Sequence, residues 1–217
     1  MLKLHDYWRS SAAYRVRIAL NLKGLSYESH SHDLRSNAHH DPAYKALNPQ
    51  GLVPALDIGG HVLTQSSAIM EWLEETCPEP SLLPPAAADR AAVRAMAALI
   101  ACDIHPLNNL RVLRELKNDW QADETQTKMW AKGWIAEGFT ALETLIGQHG
   151  KGYSFGSEPT LADCYLVPQV FSAQRFGVSL DPYPNIRAVN ERCDDHPAFV
   201  RAHPRHQPDA DTVDSNR

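Results

Sequence analysis

The stretch that decides the fold is Leu2-Lys3-Leu4-His5-Asp6-Tyr7-Trp8-Arg9-Ser10-Ser11-Ala12-Ala13-Tyr14-Arg15-Val16-Arg17-Ile18-Ala19-Leu20-Asn21-Leu22-Lys23-Gly24. Leu2 and Leu4 alternate with polar neighbours ahead of Asp6-Tyr7, which predicts a short strand. Ser10-Ser11 follow. From Ala12 to Lys23 the residues Val16, Ile18, Ala19, Leu20 and Leu22 recur at helical spacing. Gly24 is the expected stop, because glycine takes the left-handed position after a helix without a Cβ clash. A strand running into a helix across a serine pair is the opening unit of an α/β layer.

Outward from there, Leu25 to His32 reads as a weak second strand, Arg35 to Asp41 as a loop, and Pro42 to Leu47 as a short helix entered at proline. Asn48-Pro49-Gln50-Gly51 is a turn. The runs Leu52 to Ile58 and His61 to Thr64, joined by Gly59-Gly60, predict a β-hairpin. Gln65-Ser66-Ser67 then caps a helix running to about Thr76, with Ile69, Met70 and Leu73 on one face. The order is β-α-β-α-β-β-α on one sheet. Past Pro84-Pro85 strand signals vanish. Helices are expected over 91–116 (with Pro106 inside), 120–145, 160–176, 184–193 and 197–203. The expected domains are an α/β unit over 1–83, a linker over 84–90, and an all-helical unit over 91–217 whose polar tail from Gln207 frays.

Composition narrows the function. The chain has 217 residues, 43% hydrophobic and 22% charged, with a formal net charge of −5, and a pI of about 6.1. That balance argues against nucleic-acid binding, which needs a basic face. No apolar run reaches the roughly 18 residues of a membrane helix, and the N-terminus has no signal-peptide pattern, so the expected compartment is the cytoplasm. Cys77, Cys102, Cys164 and Cys193 form no C-x-x-C pair and read as free thiols. The histidines show no ligand spacing, and no metal is expected.

Five segments carry chemistry, each with a plain structural alternative. Arg9-Ser10-Ser11 at the strand-to-helix junction either caps the helix or holds an anion at its positive end. Val53-Pro54 is either an edge-strand proline or a cis peptide that leaves the Val53 backbone open to a ligand. Gln65-Ser66 either caps the next helix or offers a hydroxyl and an amide to a carboxylate. Thr160-Leu161-Ala162-Asp163 is a capping box, with Asp163 structural. His105-Pro106-Leu107-Asn108-Asn109-Leu110-Arg111 is either a solvated helix face or a proline kink facing a cleft.

The order and spacing of these segments resemble the cytosolic glutathione transferases over nearly the whole chain, and within them the zeta class of maleylacetoacetate and maleylpyruvate isomerases. The zeta-class run Ser-Ser-Cys-x-Trp-Arg-Val-Arg-Ile-Ala-Leu stands here as Ser10-Ser11-Ala12-Ala13-Tyr14-Arg15-Val16-Arg17-Ile18-Ala19-Leu20. Ala46-Leu47-Asn48-Pro49, Val53-Pro54, Gln65-Ser66, Asn109-Leu110, Tyr153-Ser154-Phe155-Gly156 and Pro159-Thr160-Leu161-Ala162-Asp163 also match. The resemblance implies a thioredoxin-like N-terminal domain, an all-α C-terminal domain, bound glutathione and a homodimer. Ser10 and Ser11 are implied to hold and activate the glutathione sulfur. Val53, with a cis Pro54, is implied to bind its cysteinyl part, and Gln65 and Ser66 its γ-glutamyl end. His39, His105, Asn109 and Asn108 complete that site. Arg9 and Arg175, with Arg111 assisting, meet substrate carboxylates. Ala12 stands where the family has cysteine, so the sulfur is activated by a hydroxyl or the helix terminus rather than a protein thiol.

The implied reaction is glutathione-dependent cis–trans isomerisation of a maleyl diacid in aromatic catabolism. A thiolate adds to the double-bond carbon conjugated with the ketone, the enolate so formed has a single bond there that rotates, and expulsion of the thiolate restores a trans double bond. Conjugation or dehalogenation of small electrophiles is the alternative, and a non-catalytic binding module is disfavoured by the intact serine pair.

Overall fold

The computed structural model describes residues 1–211. The chain divides into two compact units, one formed by residues 1–80 together with the segment from Asp195, the other by Ser81–Asp194.

In the first unit the opening stretch forms β1 (Leu2–Asp6) and α1 (Ser11–Leu22). Gly24 ends α1 at φ +66, with Leu25 N–H donating back to the Leu20 carbonyl at 2.9 Å. β2 (Tyr27–Ser31), α2 (Pro42–Leu47), β3 (Ala55–Asp57), β4 (Val62–Thr64) and α3 (Ser66–Thr76) follow in the expected order. β1 pairs parallel with β2 and antiparallel with β3, and β3 pairs antiparallel with β4, giving the order β2-β1-β3-β4. The C-terminal ends of β1, β2 and β4 therefore share one edge of the sheet with the N-terminal end of β3.

α1 is nearly all buried, including two charged residues. Arg17 donates from Nη1 to both Asp6 carboxylate oxygens at 2.8 Å, from Nη2 to the Trp8 carbonyl at 2.9 Å and from Nε to the Ala202 carbonyl at 2.9 Å. A buried guanidinium is tolerable only when its donors are met this fully. The Ala202 bond belongs to α9 (Pro197–Ala202), which lies on α1 with Asn21 donating to the Ala198 carbonyl at 3.0 Å. The segment from Asp195, expected in the helical unit, thus packs on the sheet unit. The tail expected to fray from Gln207 is hydrogen-bonded up to Asp211; the rest of that expectation, 212–217, lies outside the described residues.

The second unit is helical: α4 (Ala87–Ala98), α5 (Leu110–Asn118), α6 (Glu124–His149), α7 (Leu161–Phe176) and α8 (Pro184–Asp194). α4 begins inside the expected linker. The helix expected through Pro106 is broken: a π-helical turn (Leu99–Ile104) and a 3-10 turn (His105–Leu107) separate α4 from α5. Pro106 lacks the N–H an α-helix needs there. The break is pressed against α6, where a Cβ on Gly138 would lie 2.3 Å from Ile104 Cδ1, and Trp130 Nε1 donates to the Leu107 carbonyl at 2.7 Å. No helix among the described residues is long and apolar enough to cross a membrane.

Candidate functional site

The shared sheet edge gathers the expected residues of the first unit. The β1–α1 loop brings Arg9, Ser10 and Ser11. The chain leaving β2 leads to His39, Val53-Pro54 enters β3, and Gln65-Ser66 leaves β4.

Ser10 is the N-cap of α1, its Oγ accepting from Ala13 N–H at 3.3 Å. Capping consumes a lone pair and leaves the hydroxyl proton to donate elsewhere, so the two readings of this serine are compatible. Ser11 is the first helical residue and buried. Its amide and that of Ala12 have no acceptor within the helix. Arg9 stands over the Trp8 ring, its guanidinium carbon 5.5 Å from the centroid. The loop itself is tight, with Ser10 N–H donating to the Tyr7 carbonyl at 2.8 Å.

The Val53-Pro54 peptide is cis. Val53 is buried with Tyr7 and Tyr44, and it precedes the β3–β4 and β1–β3 ladders rather than joining them. Burial pushes the Tyr7 hydroxyl above the usual tyrosine range, against the pull of Arg9 and Arg35. His39 is buried in a short 3-10 turn, its ring 4.0 Å from that of His40.

α3 starts differently from its expectation. Ser66 is not the cap but the first helical residue, buried, and Gln65 holds the cap position at φ +67 with no side-chain capping bond. The Gln65 side chain donates instead to Gln50 Oε1 at 2.6 Å. A non-glycine residue held at positive φ is strained and is common where a ligand is gripped. Arg15, buried in α1, donates from Nη1 to Ser66 Oγ at 3.2 Å and ties the starts of α1 and α3 together. The sequence reading missed Arg15. Its signal was available in Arg15-Val16-Arg17, two charges inside an otherwise apolar helix.

In the second unit, His105 lies in the 3-10 turn and Asn108 is buried with Nδ2 lacking a hydrogen-bond partner among the described residues. Asn109 caps α5, accepting from Arg111 N–H at 3.0 Å and Val112 N–H at 3.2 Å. Arg111 is exposed on α5, and Arg175 is exposed in the last turn of α7. Asp163 completes the expected capping box. It accepts from Ser154 N–H at 2.7 Å, Thr160 N–H at 2.8 Å and Thr160 Oγ1 at 3.1 Å.

Comparison with known proteins adds the following. A family model described as the glutathione S-transferase N-terminal domain matches residues 9–76, and one described as the glutathione S-transferase C-terminal domain matches residues 119–192. A maleylpyruvate isomerase from Ralstonia sp is 54% identical over 211 residues, covering 96% of this chain and 100% of the relative. A holo structure of maleylpyruvate isomerase, described as a bacterial glutathione S-transferase of the zeta class, matches with a TM-score of 0.94 at 55% identity, over 96% of this chain and 99% of its own. A maleylacetoacetate isomerase from Anaeromyxobacter dehalogenans 2CP-1, with glutathione bound in its active site, matches with a TM-score of 0.88 at 47% identity, over 97% of this chain and 98% of its own.

Proposed function

Because the chain belongs to the zeta class of the glutathione S-transferase family, we infer that it is a glutathione-dependent cis–trans isomerase of a maleyl diacid. The observation that carries this reading is the single sheet edge holding a serine-capped helix start, a cis Val53-Pro54 and the uncapped start of α3. Those groups fit glutathione chemically. Hydroxyl and amide donors with a nearby guanidinium suit an anionic, peptide-like ligand, and Ser10 keeps a donor to spare for its sulfur.

Bound glutathione supplies the thiolate nucleophile that adds reversibly to the substrate double bond. Ser10 and Ser11 hold that sulfur and, with the helix terminus, keep it ionised near neutral pH. Val53 binds the peptide backbone. Ser66 and Gln65 take the γ-glutamyl carboxylate, with Arg15 fixing Ser66. His39, His105, Asn108 and Asn109 are further glutathione ligands. Arg9, Arg111 and Arg175 meet the substrate's carboxylates, where a guanidinium fork gives charge and orientation. The dicarboxylate is maleylpyruvate or maleylacetoacetate, and His105 with the asparagine pair favours maleylpyruvate. The enzyme is a cytoplasmic homodimer.

The test is a spectrophotometric assay of both diacids with and without glutathione. Turnover that needs glutathione without consuming it supports the reading. Binding of glutathione with no turnover of either diacid overturns it in favour of conjugation or dehalogenation. Arg9→Ala sharpens the assignment: KM for the diacid should rise about tenfold, the scale of one charged hydrogen bond, with glutathione affinity unchanged. Equal loss of both removes Arg9 from the substrate.

A further inference from the structure

The C-terminal segment has no part in the function described so far, yet it holds the loop that carries the serines. Trp8 sits two residues before Ser10, and both of its backbone polar groups are gripped. Its N–H donates to Asp209 Oδ2 at 3.0 Å, and its carbonyl accepts from Arg17 Nη2 at 2.9 Å. Arg17 is itself anchored on the Ala202 carbonyl. Ser31 Oγ also donates to Asp209, so one carboxylate joins the loop after β1 to the last residue of β2. Further along, Asp211 pairs with Arg35 at 2.7 and 2.9 Å, but on the exposed surface, where such a pair contributes little.

We propose that Asp209 is a positioning residue. Its carboxylate clamps Trp8 and so sets where the start of α1 presents the Ser10 hydroxyl to the glutathione sulfur. Asp209 holds the Tyr7–Trp8 peptide through its N–H, and Arg17 holds the Trp8–Arg9 peptide through its carbonyl. With one grip gone, the Trp8-Arg9-Ser10 loop can swing while α1 stays packed. A shift of about 1 Å at a reacting group costs up to roughly a hundredfold in rate. The proposal rests on the glutathione reading of the serines.

The experiment compares the full chain with Asp209→Ala, Asp209→Asn and Asp211→Ala. Turnover of the maleyl diacid is followed together with a pH titration of the ultraviolet thiolate band of added glutathione. Asp209→Ala should lower kcat about tenfold, within the range set by misplacement, should raise KM for the diacid because Arg9 moves with the loop, and should move thiolate formation to higher pH. The sign discriminates. Removing a nearby negative charge alone would ease thiolate formation and lower that pH, whereas a misplaced hydroxyl raises it. Asp209→Asn keeps an acceptor without the charge and should restore most of kcat, and Asp211→Ala should behave as wild type. Where Asp209→Ala does not fold, Ser31→Ala removes the second donor to the same carboxylate and should shift both readouts the same way by less. Wild-type kcat and titration in these variants, a downward shift, or a gain of activity overturns the proposal. A wild-type protein that ionises glutathione but isomerises neither diacid sinks the isomerase reading alone, because the titration still reads the clamp. No thiolate in the wild type overturns both.

Discussion

The starts of α7 and α3 are built in opposite ways. At α7, Thr160 and Asp163 close a capping box, and the Asp163 carboxylate is spent on Ser154 N–H, Thr160 N–H and the Thr160 hydroxyl. At α3, the cap residue Gln65 is at φ +67, its side chain bonds away to Gln50, and Ser66 lies buried inside the helix with Arg15 on its hydroxyl. Nothing in the first arrangement is left for a ligand. The second leaves helix amides open in a strained setting. α1 stands between them: Ser10 caps, and still has a proton to give. A helix start that finishes itself has no amide to offer, and one left incomplete at the sheet edge keeps the donors that the glutathione reading calls for.

The largest expected effect breaks the finished start. Asp163→Ala strands two buried N–H groups and the Thr160 hydroxyl, and should destabilise the protein by about 3 kcal/mol, read by urea denaturation. Glutathione affinity of the folded fraction should stay the same. A loss of affinity without a loss of stability would reverse the roles assigned to the two helices.

Next come the serines. Ser10→Ala removes both cap and donor, so about 1 kcal/mol of stability and about a hundredfold in kcat should go together. Ser11→Ala, at a position that caps nothing, should spare stability. Turnover that survives both substitutions would leave sulfur activation to the helix terminus alone.

A third kind of cap responds to pH. His203 Nδ1 accepts from Arg205 N–H at 3.2 Å, and burial, with Arg205, His206 and Arg17 nearby, lowers its pKa from 6.5 to about 4. The unfolded chain takes up this proton first, so the contribution is complete above pH 6.5 and is lost as pH falls through about 4. His5 and His32, whose ring nitrogens meet at 2.9 Å, are lowered too, first by burial, and act in the same direction. Melting temperatures should therefore drop between neutral pH and pH of about 4. His203→Asn, which keeps an acceptor at every pH, should flatten part of that limb. An unchanged limb would remove His203 from the acid response.

The smallest effect relieves the open start. Gln65→Gly should gain about 1 kcal/mol of stability by releasing the positive φ, with weaker glutathione binding by calorimetry. Unchanged binding would remove Gln65 from the glutathione site.

Much of the fold was legible in local chemistry. Gly24 stops α1, Gly59-Gly60 turns the hairpin, and Thr160 and Asp163 start α7, because each depends on a few adjacent residues and their permitted dihedrals, whereas the residues around Val53-Pro54 left an edge-strand proline and a cis peptide both open. The helix through Pro106 was misread because apolar residues recur at helical spacing across the break, at Ile100, Ile104 and Leu107, while the break is stabilised by packing on Gly138 and Trp130, outside that window. Of the two uses open to Ser66, the cap is ruled out because Gln65 takes that position at φ +67, a backbone state the local pattern does not mark.

By itself, then, the sequence determined the strands, most helix ends and the serine pair at the start of α1. Only the tertiary structure decided that β1 lies between β2 and β3, which brings the loops after β1, β2 and β4 and the entry to β3 to one edge. It also decided that Arg15 reaches Ser66, and that Asp209 reaches Trp8 across 201 positions of chain. Such contacts depend on which buried surfaces meet, and a polar residue far along the chain carries no local mark of the partner it will find.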